Sequence, residues 1–144
     1  MTTSTPTRGQ VERTLAQRIQ ALYRDQLGHQ PTKVICQLSD HNVVIVIEGS
    51  ITPPELLLAH TGRLELAEQV HSDLDDAIEP QLKALIEETL NVTVLEVLSD
   101  ATLATGRTGI IAVLTDTPTV RTPPPNHKAR RKSLSDTSVT PKSA

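Results

Sequence analysis

Apolar residues recur at Val11, Leu15, Ile19, Leu22 and Leu27, while Arg13, Arg18, Arg24 and Asp25 fall off that line. This is the spacing of one stripe on an amphipathic helix. Gly28 stops the helix and Pro31 prevents its return. Lys33–Leu38 and Val43–Glu48 then read as two strands, joined by Ser39-Asp40-His41-Asn42, a cluster of turn formers, so the pair is a hairpin. Every residue from Val43 to Ile47 is β-branched, which makes both faces of the second strand apolar. Thr52-Pro53-Pro54-Glu55 forms a capping box. Thr52 can accept from the Glu55 amide, Pro53 sits where no N–H is needed, and Glu55 can reach back to the Thr52 amide. Leu56 to Ala59 continue as a short helix that ends near Thr61-Gly62.

A longer helical pattern starts at Arg63. Leu64, Ala67, Val70, Leu74 and Ala77/Ile78 share one face, and Glu65, Glu68, Asp73, Asp75, Asp76 and Glu79 lie mostly on the other. Pro80 removes a backbone donor inside this helix, which predicts a kink or two abutting helices. Leu82, Leu85, Ile86 and Leu90 carry the stripe on. Val92–Leu98 and Ile110–Leu114 are the last strands, with Ser99 to Gly109 between them as a loop. The order α-β-β-α-β-β, with its last helical region split, predicts an α+β fold: a four-stranded mixed or antiparallel sheet with helices packed on one face. The second face is apolar as well and needs a cover, which a homodimer formed sheet to sheet supplies. A hydrophobic partner protein would serve equally.

The formal net charge of −3 conceals a division. From Gln10 to Asp116 there are 7 Lys/Arg against 16 Asp/Glu, and from Thr117 to Ala144 there are 6 against 1. An acidic body therefore precedes a basic tail. Residues 1–9 are expected to be a disordered lead-in, 10–116 the folded domain, and 117–144 a disordered Pro/Ser/Thr-rich tail with almost nothing to bury. With Tyr23 as the only aromatic residue, stacking platforms for single-stranded nucleic acid and aromatic cages are excluded. The lone Cys36 excludes an internal disulfide, and its strand-like setting marks it as a small buried hydrophobe. No apolar run approaches the length of a membrane span, and the N-terminus has no signal-peptide pattern, so the expected setting is cytoplasmic.

The chemistry-bearing residues are few. Glu68-Gln69-Val70-His71 has the E-x-x-H spacing of carboxylate-bridged metal helices but occurs once, and His71 is also within i,i+4 reach of Asp75. A solvated helix face is the expected reading. Gly106-Arg107-Thr108-Gly109 lacks the Lys-Ser/Thr ending of a phosphate loop and reads as turn chemistry. No catalytic residue, metal ligand or cofactor site is assigned, and the chain is expected not to be an enzyme. Thr52, Pro53, Pro54 and Glu55, at a helix N-terminus, are the candidate interaction site; an anion or nucleotide received there would make the chain a small-molecule sensor, although the two prolines remove amides. Lys128, Arg130, Arg131 and Lys132 are a candidate tether to anionic membrane or to a partner protein, weak and salt-sensitive. Ser133 and Ser135 beside them are candidate phosphorylation sites that would cancel part of that charge. Nucleic acid is not expected as a partner, because the acidic body repels it.

Leu27-Gly28-His29-Gln30-Pro31-Thr32-Lys33-Val34, then Ile47-Glu48-Gly49-Ser50-Ile51-Thr52-Pro53-Pro54-Glu55, and the helix running into Asn91-Val92-Thr93-Val94 together resemble the bacterial MpsC-like domain family over about residues 10 to 116. Gln30 and Asn91 stand where that family has glycine, and His71 lies where it carries an arginine. The resemblance implies association with a system that couples sodium or bicarbonate movement to membrane potential. A small component of such a system implies an accessory or regulatory role beside a membrane transport protein, peripheral to the inner face of the plasma membrane.

Overall fold

The computed structural model describes residues 5–121. Its elements are α1 (Arg8–Leu27), β1 (Lys33–Ser39), β2 (Asn42–Glu48), α2 (Pro53–His60), α3 (Leu64–Leu90), β3 (Val94–Thr102) and β4 (Arg107–Leu114). The sheet has the order β1-β2-β4-β3, and every neighbouring pair is antiparallel. This is the expected α+β architecture, with the second helical region realised as two helices, α2 and α3.

The first helix starts ahead of its apolar stripe. Thr7 is a capping residue whose N–H donates to Gln10 Oε1 at 2.8 Å and whose Oγ1 accepts from the Gln10 amide at 3.2 Å. Gly28, at φ +68°, closes the other end by donating its N–H to the Arg24 carbonyl. Val11, Leu15, Ile19 and Tyr23 face the sheet fully buried, and Leu22 and Leu27 are half-buried. Burial also pushes the Tyr23 hydroxyl up, with the nearby Asp75 charge adding to it.

Helix α3 continues through Pro80 without interruption. The carbonyl that loses its donor there belongs to Asp76, and both residues are exposed, so water can meet it. Asn91 ends α3 at φ +55°, the left-handed conformation that explains a glycine in the family's pattern and that asparagine tolerates best among the other residues. Both β3 and β4 are longer than expected, leaving only Leu103–Gly106 between them, with Gly106 at φ +72°. Thr108 is a polar residue on the inner face, buried because its hydroxyl shares a 2.7 Å hydrogen bond with Ser50 Oγ. That bond lets β4 run past Gly109 toward the turn.

Cys36, Leu38, Val43, Ile45, Ile47, Val94, Ile110, Ala112 and Leu114 form the inner face of the sheet and pack against α1 and α3. Each large aliphatic side chain buried here contributes about 1.5–3 kcal/mol. The Cys36 thiol is pushed up to about 12 by burial first and by the Glu12 charge second, so it behaves as a hydrophobe. Glu12 itself caps the open edge of β1 by accepting the Leu38 amide at 2.8 Å.

Residues 117–121, placed in the tail by the sequence, return to the body. Pro118 is buried, Val120 packs on the core, and Arg121 donates its N–H to the Pro6 carbonyl at 2.7 Å. The reason is apolar: Pro118 and Val120 bury their side chains against the body.

Candidate functional site

Helix α2 brings Glu55 inward at its first turn. The Glu55 side chain is 1% exposed, and its Oε2 accepts from the Thr52 N–H at 2.9 Å and from the Thr52 hydroxyl at 2.5 Å. Its Oε1 lies 2.6 Å from His71 Nδ1 on α3, which donates to it. The other imidazole nitrogen, Nε2, stands 3.3 Å from Asp75 Oδ2 one turn along, an ion-pair contact rather than an aligned hydrogen bond. His71 is thus a buried cation between two carboxylates. Its pKa is pushed up to about 9, first by Asp75, against the opposing effect of burial, and further by Glu55.

This corrects the reading of His71 as part of a solvated helix face. Ala67, His71, Ile78, Leu82, Ile86 and Leu90 are the buried positions of α3, whereas Val70 and Leu74 are half-buried and Leu64 is exposed. The stripe is rotated because the covering element is α2, whose Glu55 offers His71 a charged partner. A signal was present in the spacing, since His71 falls four residues after Ala67 and seven before Ile78. Glu68, the residue the E-x-x-H spacing pairs with His71, is exposed.

The raised pKa sets a pH dependence. The folded state holds the His71 proton more tightly than the unfolded chain, so this stabilisation is complete below about pH 6.5 and is lost as pH rises through 9. Solvent reaches the Asp75 side of the pair, which limits the effect to about 1–2 kcal/mol. The thermal midpoint should therefore fall between pH 7 and 9, and His71→Gln should flatten that fall. Above pH 9 the buried Cys36 thiol adds its own loss, because its unfolded counterpart ionises there.

An open acidic cleft of about 250 Å³ adjoins the cluster, lined by Glu68, His71, Ser72, Asp75, Asp76 and Asp100 among others. Among the described residues no group of three or more His, Cys, Asp or Glu has metal-binding geometry. The four residues singled out at the start of α2 separate in the structure. Thr52 and Glu55 are buried together, while Pro53 and Pro54 are exposed on a shallow groove of about 490 Å³ that Thr52 also lines, with Leu27, His29, Val70 and Leu74. An incoming anion would find the Thr52 N–H already taken by the Glu55 carboxylate. Lys128, Arg130, Arg131, Lys132, Ser133 and Ser135 lie outside the described residues.

The second feature is the outer face of the sheet. Register places Ile35, Val46, Gly109 and Asp100 in one row across it and Gln37, Val44, Ile111 and Leu98 in the next. Ile35 and Val44 are each 38% exposed, Ile111 41% and Leu98 50%. Both helices that touch the strands, α1 and α3, pack on the opposite face, so no element among the described residues covers this one. Also among the described residues, no helix is long and apolar enough to cross a membrane.

No match was found among curated proteins or among solved structures. Residues 7–116 match the family described as "Na+-translocating membrane potential-generating system (MpsC)", a span that takes in every helix from Arg8 onward and all four strands. The chain belongs to the MpsC family.

Proposed function

We propose that this chain is a non-enzymatic accessory or regulatory protein of a bicarbonate or cation transport system, working at the cytoplasmic side of the membrane. It acts by association: the body forms a homodimer through its outer sheet face, and the basic tail tethers it to anionic lipid or to the transport protein. The observation that carries this reading is the uncovered apolar sheet face, because a patch of that kind on a small domain marks an interaction surface. The ionic cluster supports it from the other side. The Thr52 hydroxyl and the Glu55 carboxylate that accepts from it belong to residues only 6% and 1% exposed, which leaves little of either for a substrate to reach. Holding α2 to α3 is the role that geometry suits. A small-molecule sensor with an anion at Thr52–Glu55 is the less favoured alternative, since the Glu55 carboxylate already serves that helix end.

Truncation after Arg121 tests the tether and keeps every described residue that packs on the body. The full chain should co-sediment with vesicles of anionic lipid, lose them as salt rises, and ignore vesicles of neutral lipid. The truncated chain should recover little lipid and little of the transport protein. Equal recovery by the two forms would remove the tether from the proposal.

A further inference from the structure

The outer face carries a charge pattern as well as an apolar one. Lys33, Glu48, Arg107 and Thr102 form the row at one end of the sheet, next to the row of Ile35, Val46, Gly109 and Asp100. Ser39, Asn42, Val113 and Glu96 form the row at the other end. Glu48 and Arg107 are register neighbours on β2 and β4, yet they do not ion-pair with each other.

A second copy placed face to face is related by a two-fold axis lying in the plane of contact, running either along the strands or across them. Run along the strands between β2 and β4, the axis lays β2 of one copy over β4 of the other. Val44 then meets the partner's Ile111, and Glu48 meets the partner's Arg107. Val46 comes over the partner's Gly109, where there is no side chain and a Cβ would touch nothing within 4 Å. The outer strands then set Ile35 over the partner's Asp100 and Lys33 over the partner's Thr102. Run across the strands, the axis sets Arg107 over the partner's Val113 and Leu98 over the partner's Asp100, so each axis places one aliphatic side chain over Asp100. What separates the two is that the second leaves Glu48 with no opposite charge. Sheets stacked within about 30° of alignment preserve these overlaps near the axis.

We propose that a second copy of this chain covers the outer face about a two-fold axis parallel to the strands, with Val44 against Ile111 and Glu48 paired to the partner's Arg107. The inference rests on the reading of this face as the association surface and adds the partner and its orientation. Because the charge pair occurs twice, side by side in the end row, with the apolar contacts next to it along the strands, the face selects its own copy over an unrelated apolar surface.

Sedimentation velocity on the full chain tests it with three variants, each checked for its fold by circular dichroism. Wild type should sediment as a species of twice the 15.6 kDa chain mass at micromolar concentration. Glu48→Arg alone sets two guanidinium groups against each other across the interface, and Arg107→Glu alone sets two carboxylates together; each should weaken the dimer by about tenfold or more. Mixed in equal amounts, the two single variants should form a heterodimer, because the two cations that one copy carries at positions 48 and 107 then face the two carboxylates of the other. Repulsion inside each chain is unchanged by mixing, so recovery reports only the contact between copies. A wild-type monomer overturns the proposal, and so does a mixture that stays monomeric. If Val44→Glu abolishes the dimer while the charge variants leave it intact, the axis is wrong and the association surface stands. If Val44→Glu leaves the dimer intact, both fall.

Discussion

Glu55→Ala should lower unfolding stability by about 3–5 kcal/mol, the range for removing one partner of a buried ion pair and leaving the other uncompensated. Three groups lose their acceptor at once: the Thr52 N–H, the Thr52 hydroxyl and His71 Nδ1. Asp75 still faces His71 Nε2 at 3.3 Å, so the imidazole can stay charged, which places the expected loss toward the lower end. Glu55→Gln should cost less, since its amide oxygen can still accept from Thr52. A double replacement with apolar residues of similar volume, Glu55→Met with His71→Leu, should recover the part of the loss that comes from the uncompensated imidazolium but not the part that comes from the Thr52 N–H and hydroxyl, which still lack their acceptor. Urea unfolding of the four proteins checks the series. A loss below about 1 kcal/mol for Glu55→Ala would mean that α2 is not held to α3 through this pair.

The α1 stripe, the β1–β2 hairpin, the α2 capping box and the apolar outer face are all legible in the sequence, because each follows from a short-range rule. Periodicity, turn formers and β-branched runs act over a few residues. What is not legible depends on contacts between distant segments. Ser99–Thr102 and Arg107–Gly109 look like loop until Ser50 supplies Thr108 with a partner 58 residues away. His71 looks like surface until Glu55, 16 residues earlier, meets it. In isolation a polar residue is read as exposed, since burial without a partner is costly; only the fold shows that the partner is there. Val120 escapes for the opposite reason. One apolar residue in a Pro/Thr run gives no periodicity, yet one is enough to hold a strand-like return beside Pro6. The candidate site is therefore half visible: Thr52 and Glu55 stand out as a helix cap, while the histidine that makes them an ionic cluster reads as solvated.

Gly49→Ala should cost about 2–4 kcal/mol, and the comparison with Gly28→Ala separates its two causes. Both glycines have φ +68°, a conformation that an alanine adopts only under strain, worth about 1 kcal/mol by itself. A Cβ on Gly28 would meet nothing within 4 Å. A Cβ on Gly49 would lie 2.2 Å from Thr32 Oγ1 and 3.0 Å from both the Thr32 Cβ and its backbone nitrogen. The hydroxyl can rotate away, but the nitrogen donates to the Glu48 carbonyl at 2.8 Å and cannot move without opening the start of β1. Gly49 also presents its carbonyl to His29 Nε2 at 2.9 Å, so a shift there disturbs the chain leaving α1 as well. Gly28→Ala should thus lose about 1 kcal/mol and Gly49→Ala distinctly more. Thr32→Ala in the Gly49→Ala background should return only part of the difference, because it removes the hydroxyl and leaves the backbone contact. Equal losses for the two glycine variants would show that the crossing of Gly49 over Thr32 is loose, and with it the joint that leads from β2 into the α2 capping box.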